Sequence, residues 1–300
     1  MTDVDVAVAA LRAGKLVAFP TETVYGLGAD AANDAAIANV FAVKRRPTDH
    51  PLIVHLATIE QLADWSDPLP ASALKLAEAF SPGPITFLVP KAAHVSLAVT
   101  GGRQTVGLRI PAHPLTHAML IDFGGGVAGP SANRFGRVSP TTAADVLVDL
   151  GNDVDVVLDG GPCEVGIEST IVDCTTSPVT VLRCGAITME MIEVVLDEVP
   201  SEPGGPSRAP GMMASHYAPT CAVSLVDDWI EAEALRVTLP GRHAILDPGP
   251  DLAAYAHGLY GWLRDADRRG LDTLIVVRPP NRGLGAAINE RLAKAAAPRS

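Results

Sequence analysis

Residues 201–213 divide the chain, because three prolines and three glycines fall within this short stretch and no hydrophobic period resumes until His216. Proline fixes φ and removes a backbone donor, and glycine brings no Cβ to pack, so neither a helix nor a paired strand is expected to run through it. A chain punctuated there folds as two units. Its 300 residues at 48% hydrophobic give each unit material for a core. The expected boundaries are 1–200 for a first domain, 201–221 for a linker and 222–300 for a small second domain.

Helical and strand patterns alternate on both sides of this break. Residues 3–13 read as a helix stopped by Gly14, and 16–19 as a strand entering a turn at 20–23. Asn33 or Asp34 can cap a helix with the apolar stripe Ile37, Val40 and Phe41; it must end before Pro47, which puts Lys44 in its last turn. Further strands are expected at 52–56, 85–89, 105–110, 156–159, 170–172 and 179–183, with helices at 71–79, 114–121, 143–150 and 189–196. This interleaving predicts an α/β domain. Beyond the break, 222–226, 243–247 and 273–277 read as strands separated by helices, enough for a small doubly wound unit.

Charge narrows the ligand class. Residues 222–300 carry ten basic and ten acidic side chains, so the net charge of −11 lies wholly in residues 1–221. Within that acidic part the cations Lys44, Arg45, Arg46, Arg109, Arg134, Arg137 and Arg183 are few and focused. Such focus suits a compact anionic ligand rather than a long nucleic acid, which needs a broad basic face. The four cysteines form no CxxC pair and Pro114 interrupts His113 and His117, so buried thiols are expected, without a zinc site or disulfide framework. Residues 1–10 lack the basic and apolar regions of a secretory signal, and no apolar run approaches the roughly 18 residues of a membrane span. The expected setting is cytoplasmic, with no membrane contact.

No GxxxxGK[ST] loop, GxGxxG run or GxSxG elbow occurs. In residues 105–110, period-two alternation puts Thr105, Gly107 and Arg109 on one face and Val106, Leu108 and Ile110 on the other. The first face lets a ligand approach the backbone and offers a guanidinium fork to a carboxylate or phosphate. His55 stands opposite Leu52, Val54 and Leu56. Lys44, Arg45, Arg46 and Pro47 form a cationic knot at a helix end, and residues 129–133 supply hydroxyls and backbone donors of the kind that cradle phosphate oxygens. Each feature also has a plain structural reading: an exposed sheet face, a core histidine, solvated helix-end charge, an ordinary Gly/Pro/Ser loop.

Together these segments carry a resemblance. The runs are Phe19-Pro-Thr-Glu-Thr-Val-Tyr-Gly-Leu-Gly28, Lys44-Arg-Arg-Pro47, Pro51-Leu-Ile-Val-His55, Ser81-Pro-Gly-Pro84, Val106-Gly-Leu-Arg-Ile-Pro111, Pro130-Ser-Ala-Asn133 and Gly166-Ile-Glu-Ser-Thr170. Pro210-Gly-Met212, His216-Tyr-Ala-Pro219, Ala287-Ile-Asn289 and Arg291-Leu292 follow beyond the break. In order and spacing the chain resembles the YrdC-like family of L-threonylcarbamoyladenylate synthases, in its two-domain type. The resemblance implies an α/β fold: a twisted mixed-sheet YrdC-like catalytic domain with a deep cleft, plus a small Rossmann-like C-terminal domain. It implies a nucleotidyltransferase that joins L-threonine, bicarbonate or CO2, and ATP into threonylcarbamoyl-AMP, releasing pyrophosphate. The product would pass to a tRNA threonylcarbamoyl transferase system acting on tRNA position 37. Mg²⁺ would be carried mainly by the ATP, with no protein metal site.

By motif position, Thr23, His55, Arg109, Gly129 and Ser169 would hold L-threonine. Arg46, His50, Thr105, Ser131, Ser139 and Arg183 would hold ATP, with Lys44 and Asn133 completing the phosphate site and Tyr217 reaching in from the linker. Lys44, Arg46 and Arg109 would serve catalysis, and residues 203–217 would close as a lid. His50 stands where the family usually has Asn, and Gly129 where Ala is common. The alternatives are an RNA-binding module and a carbamoyl-adenylate-forming maturation enzyme on the same scaffold; a weak RNA contact is expected at most, because the first 221 residues are acidic.

Overall fold

Short apolar runs assemble into a mixed sheet in the computed structural model, which describes residues 2–202 and 217–297. Its strands are β1 (Val17–Phe19), β2 (Gly26–Asp30), β3 (Ile53–His55), β4 (Ile85–Pro90), β5 (Thr105–Arg109), β6 (Val127–Ala128), β7 (Val156–Val157), β8 (Thr170–Asp173) and β9 (Thr180–Arg183). They lie in the order β7-β1-β2-β6-β3-β5-β4-β8-β9. Pairing is parallel at β7/β1, β3/β5 and β4/β8 and antiparallel elsewhere.

β2 and β6 were absent from the expected strands. Two glycines deprive β2 of a strand-like pattern, and their role is steric: a Cβ at Gly26 or Gly28 would lie 2.6 or 2.7 Å from the Phe19 ring. The bare backbone of β2 makes room for that ring. β6 is only two residues long, too short for a period to show.

The two faces of the sheet are covered unequally. On one, helices Asp34–Lys44, Ala71–Phe80 and Ala143–Leu150 bury Leu27, Val54, Phe87 and Leu108. On the other, helices Asp3–Arg12 and Pro114–Phe123 pack Leu11, Met119 and Leu120 over Val17, Phe19 and Val127, at one end of the sheet. Neither helix joins the separate small cluster of Ile53, Leu88, Ile171 and Leu182. His55 and Arg109 share that part of the face, because they sit in register on adjacent parallel strands. A cleft opens where the helical cover ends.

The C-terminal unit has three parallel strands, β10 (Ala222–Val226), β11 (His243–Leu246) and β12 (Thr273–Val277), in the order β10-β12-β11. Helices Trp229–Arg236, Leu252–Arg268 and Leu284–Ala296 accompany them. This is narrower than a Rossmann fold, whose two halves together use about six strands. Leu259, Leu263, Ile288 and Leu292 share one buried cluster with Val24, Val138 and Ile167 of the first domain. The domains are thus joined through a common core. Ser201 bonds in both directions to the β9 edge, at 3.0 and 2.8 Å, so it belongs to the first sheet rather than to the linker. The linker proper, 203–216, and with it nearly all of the expected lid, lies outside the described residues.

At Gly166, φ is +80° and a Cβ would lie 2.5 Å from the His257 carbonyl oxygen across the domain boundary. Gly166→Ala should therefore lower unfolding stability by roughly 1–3 kcal/mol in urea denaturation. An unchanged midpoint and slope would contradict this close approach.

Candidate active site

Arg109 lies at the end of β5 with 4% of its surface exposed, and a buried guanidinium requires a counter-charge. Glu22, from the turn before β2, supplies it: Arg109 Nη2 donates to Glu22 Oε1 at 2.7 Å. Glu22 Oε2 accepts from the Ala112 amide at 3.0 Å, which fixes the carboxylate. Nη2 also donates to Thr23 Oγ1 at 2.8 Å. Thr21 Oγ1 donates to the Val24 carbonyl at 2.6 Å, so Thr23 gives its own proton to Thr21 Oγ1 at 2.8 Å. The Thr23 hydroxyl thus accepts from Arg109 and donates to Thr21, and Thr21, not Thr23, lines the cleft. The Arg109 Nε–H is buried and has no partner among the described residues.

His55 faces Arg109 from β3. Its Nδ1 lies 3.2 Å from the Val127 carbonyl, which can only accept, so Nδ1 carries the proton and Nε2 is left as an acceptor. Phe19 packs against the ring edge-on at 5.1 Å. Burial, and then the Arg109 charge, push the imidazole down to about 3. It is neutral at physiological pH.

The cationic knot divides. Arg45 adopts left-handed φ and is exposed. Lys44 is 1% exposed, and its ammonium donates to the carbonyls of Ser131, at 2.5 Å, and Asn133. Asn133 Nδ2 donates in turn to the carbonyls of Arg134 and Arg137, at 3.0 and 2.7 Å. Lys44 and Asn133 thus brace the 131–137 loop from beneath, and neither lines the cleft. Arg46 does line it. One Arg46 nitrogen donates to the Pro51 carbonyl at 3.1 Å, the guanidinium lies 5.9 Å from the Phe135 ring, and the buried Nε–H has no partner among the described residues. His50 meets the same ring edge-on at 5.5 Å. His50 and Thr105 lie outside the cleft lining.

The opposite wall comes from the start of β8 and the end of β9. Arg183 Nε donates to the Ser169 carbonyl and Nη2 to its hydroxyl, both at 3.0 Å, while the hydroxyl also meets Thr86 at 2.8 Å. Glu168 is a second carboxylate that cation-centred sequence reasoning passed over. It accepts from Ser139 Oγ at 2.6 Å, Tyr260 at 2.6 Å and Arg291 Nε at 2.8 Å. Burial raises its pKa, but the charges of Arg291 and Arg183 outweigh this and hold it at about 2. Tyr217, at 1% exposed, stacks on Tyr260 at 5.6 Å and lines the cleft beside Gly129, Ser131 and Ser169. Ser139 is fully buried behind Glu168.

Residues 9–185 match the family model described as "Telomere recombination", and residues 187–297 match "Threonylcarbamoyl-AMP synthase, C-terminal domain". The threonylcarbamoyl-AMP synthase of Pyrococcus abyssi is 37% identical over 310 residues, spanning 95% of this chain and 91% of its own. The chain belongs to the Sua5/YciO/YrdC family. The Bacillus subtilis threonylcarbamoyl-AMP synthase is 38% identical over 97% of this chain and 92% of its own. The P. abyssi Sua5 crystal structure complexed with L-threonine superposes with a TM-score of 0.92 at 35% identity, covering 99% of this chain and 95% of that one.

In this family member the cleft concentrates three buried cations, Arg46, Arg109 and Arg183, within an acidic domain. Two of them keep a buried Nε–H without a partner among the described residues, each costing about 1–3 kcal/mol while unmet. The arrangement suits a ligand with several anionic groups. Of the carboxylates, Glu22 and Glu168 are committed to Arg109 and Arg291. Among the described residues no group of three or more His, Cys, Asp or Glu gathers to hold a metal.

His55 also predicts an acid response. The unfolded imidazole takes up a proton as pH falls through its ordinary value of 6.5, while the folded one resists until about 3. Stability held above pH 6.5 is therefore lost on acidification, with a slope up to about 1.4 kcal/mol per pH unit. Glu168 adds loss of the same sign only below 4.5. Urea titrations from pH 6.5 to 4.5 should show a shallower decline for His55→Asn than for the parent; equal slopes would contradict a buried neutral His55.

Proposed function

We propose that this chain is an L-threonylcarbamoyladenylate synthase, acting in the cytoplasm to supply a tRNA threonylcarbamoyl transferase system. The observation that carries the proposal is Arg109: its charge is fixed by Glu22 while it lines the cleft, and its buried Nε–H has no partner among the described residues. A carboxylate bound against this guanidinium gains a charge-assisted hydrogen bond. The amino acid is assigned to that half of the cleft, with His55 Nε2 accepting from its ammonium or hydroxyl. ATP is assigned to the Arg46, Ser131, Ser139 and Arg183 half, with Mg²⁺ arriving on the nucleotide as the substrate's own counter-ion.

Threonine's amine adds to CO2 and releases a proton, giving a carbamate. A carbamate oxygen then attacks the α-phosphorus, forming the new O–P bond as the bond to the β-phosphate oxygen breaks and pyrophosphate departs. No protein nucleophile is required. Arg46 and Arg183 neutralise charge developing on the phosphates, and Lys44 contributes by holding the Ser131 and Asn133 backbone in place. Gly129 and Ser169 complete the threonine side, and Tyr217 completes the nucleotide side.

Arg109→Ala should lose about 2–5 kcal/mol of transition-state stabilisation, read as kcat/KM for pyrophosphate release from threonine, bicarbonate and ATP. Glu22→Gln should raise KM for L-threonine while leaving that for ATP unchanged. Parental kinetics in Arg109→Ala would overturn the assignment.

A further inference from the structure

The C-terminal domain reaches the cleft wall through charge as well as through apolar packing. Arg291 is fully buried, and its contacts converge on the nucleotide side. Nε donates to Glu168 Oε2 at 2.8 Å, Nη2 donates to the carbonyl of Cys184, beside Arg183, at 2.9 Å, and the guanidinium lies 5.5 Å from the Tyr217 ring. Glu290 balances it from the C-terminal side at 3.2 Å. Tyr260, from the same domain, donates to the same Glu168 oxygen at 2.6 Å.

Docking alone does not call for this charge. The two domains already share a core of leucine, isoleucine and valine side chains, and a buried ion pair is commonly no more stabilising than apolar residues of similar volume. What the cluster does is hold the cleft wall, because Glu168 and Tyr217 both line the cleft. Glu168, ionised by Arg291, can only accept, so the buried Ser139 donates its hydroxyl proton to one carboxylate oxygen while Tyr260 and Arg291 donate to the other. On the amino-acid side, the contacts described above for Glu22, Thr23, His55 and Arg109 stay within the first domain.

We propose that Arg291 and Tyr260 are positioning residues for the nucleotide half of the cleft, holding Glu168 and Tyr217 in its wall. This rests on the reading of Arg183 and Tyr217 as nucleotide contacts. The second domain is then a structural component of the ATP site, separate from any lid.

The test is steady-state kinetics on the full chain, with Arg291→Met, Arg291→Lys and Tyr260→Phe. Arg291→Met should raise KM for ATP roughly tenfold or more, the effect of losing a charge-assisted hydrogen bond, with KM for L-threonine within about twofold of the parent. Arg291→Lys should recover part of the loss, and Tyr260→Phe should raise KM for ATP about threefold while still folding, with a lower thermal melt. Equal shifts in both KM values, or no shift in a folded Arg291→Met, would overturn the inference. If Arg291→Met does not fold, an unchanged KM for ATP in Tyr260→Phe overturns it instead. A parent protein that releases no pyrophosphate from ATP and threonine would count against the synthase reading, so the two failures are distinct.

Discussion

Arg109 and Glu22 meet at 2.7 Å where neither side chain is more than 7% exposed. Moving two charges out of water is unfavourable unless they pair well, so neither can shift alone, and the neighbouring hydroxyls and amides settle around them. Thr23 orients Arg109, Thr21 orients Thr23, and the Ala112 amide orients Glu22. His55 is neutral partly because the Arg109 charge lies beside it. The ion pair thus fixes the aim of Thr23 and of the Glu22 carboxylate, and its Arg109 charge adds to burial in keeping His55 neutral.

Much of this was legible in the sequence, for identifiable reasons. Strands β3, β4, β5, β8 and β9 alternate or run apolar over several residues, and helices Ala143–Leu150 and Met189–Leu196 fall where their pattern places them. Thr105, Gly107 and Arg109 do share a face. β2 and β6 were not legible, because glycines that accommodate Phe19 and a two-residue strand carry no period. Within the site, the search favoured cations for an anionic ligand and passed over Glu22 and Glu168, although both stand inside the quoted runs. Buried guanidinium groups need buried carboxylates; asking which acid pairs with Arg109 would have pointed to the acids in those runs. Lys44 was legible as a cation in the last turn of a helix, but nothing in a one-dimensional pattern says that it is buried or that its donors go to the Ser131 and Asn133 carbonyls.

The two halves of the cleft are supported differently. The half proposed for the amino acid is held by strands β3 and β5 and the Glu22 turn, all within the larger sheet. The half proposed for the nucleotide depends on loops at 131–139 and 166–169, which have little regular structure of their own and are braced by Lys44 beneath and by Arg264 and Arg291 from the second domain. Arg264 takes Asp149 with two nitrogens, at 2.9 and 3.3 Å, and also donates to the Val138 carbonyl. A rigid grip on the smaller ligand and a domain-braced grip on the larger one agree with catalysis by positioning and electrostatics.

The most direct measurement of the central claim is mass analysis of the purified chain incubated with ATP, bicarbonate and, separately, threonine, serine or alanine. The account predicts an adenylate with the mass of threonylcarbamoyl-AMP from threonine, formed together with pyrophosphate, and less product from the two smaller amino acids. Absence of any threonine-dependent adenylate from folded, ATP-binding protein would contradict it.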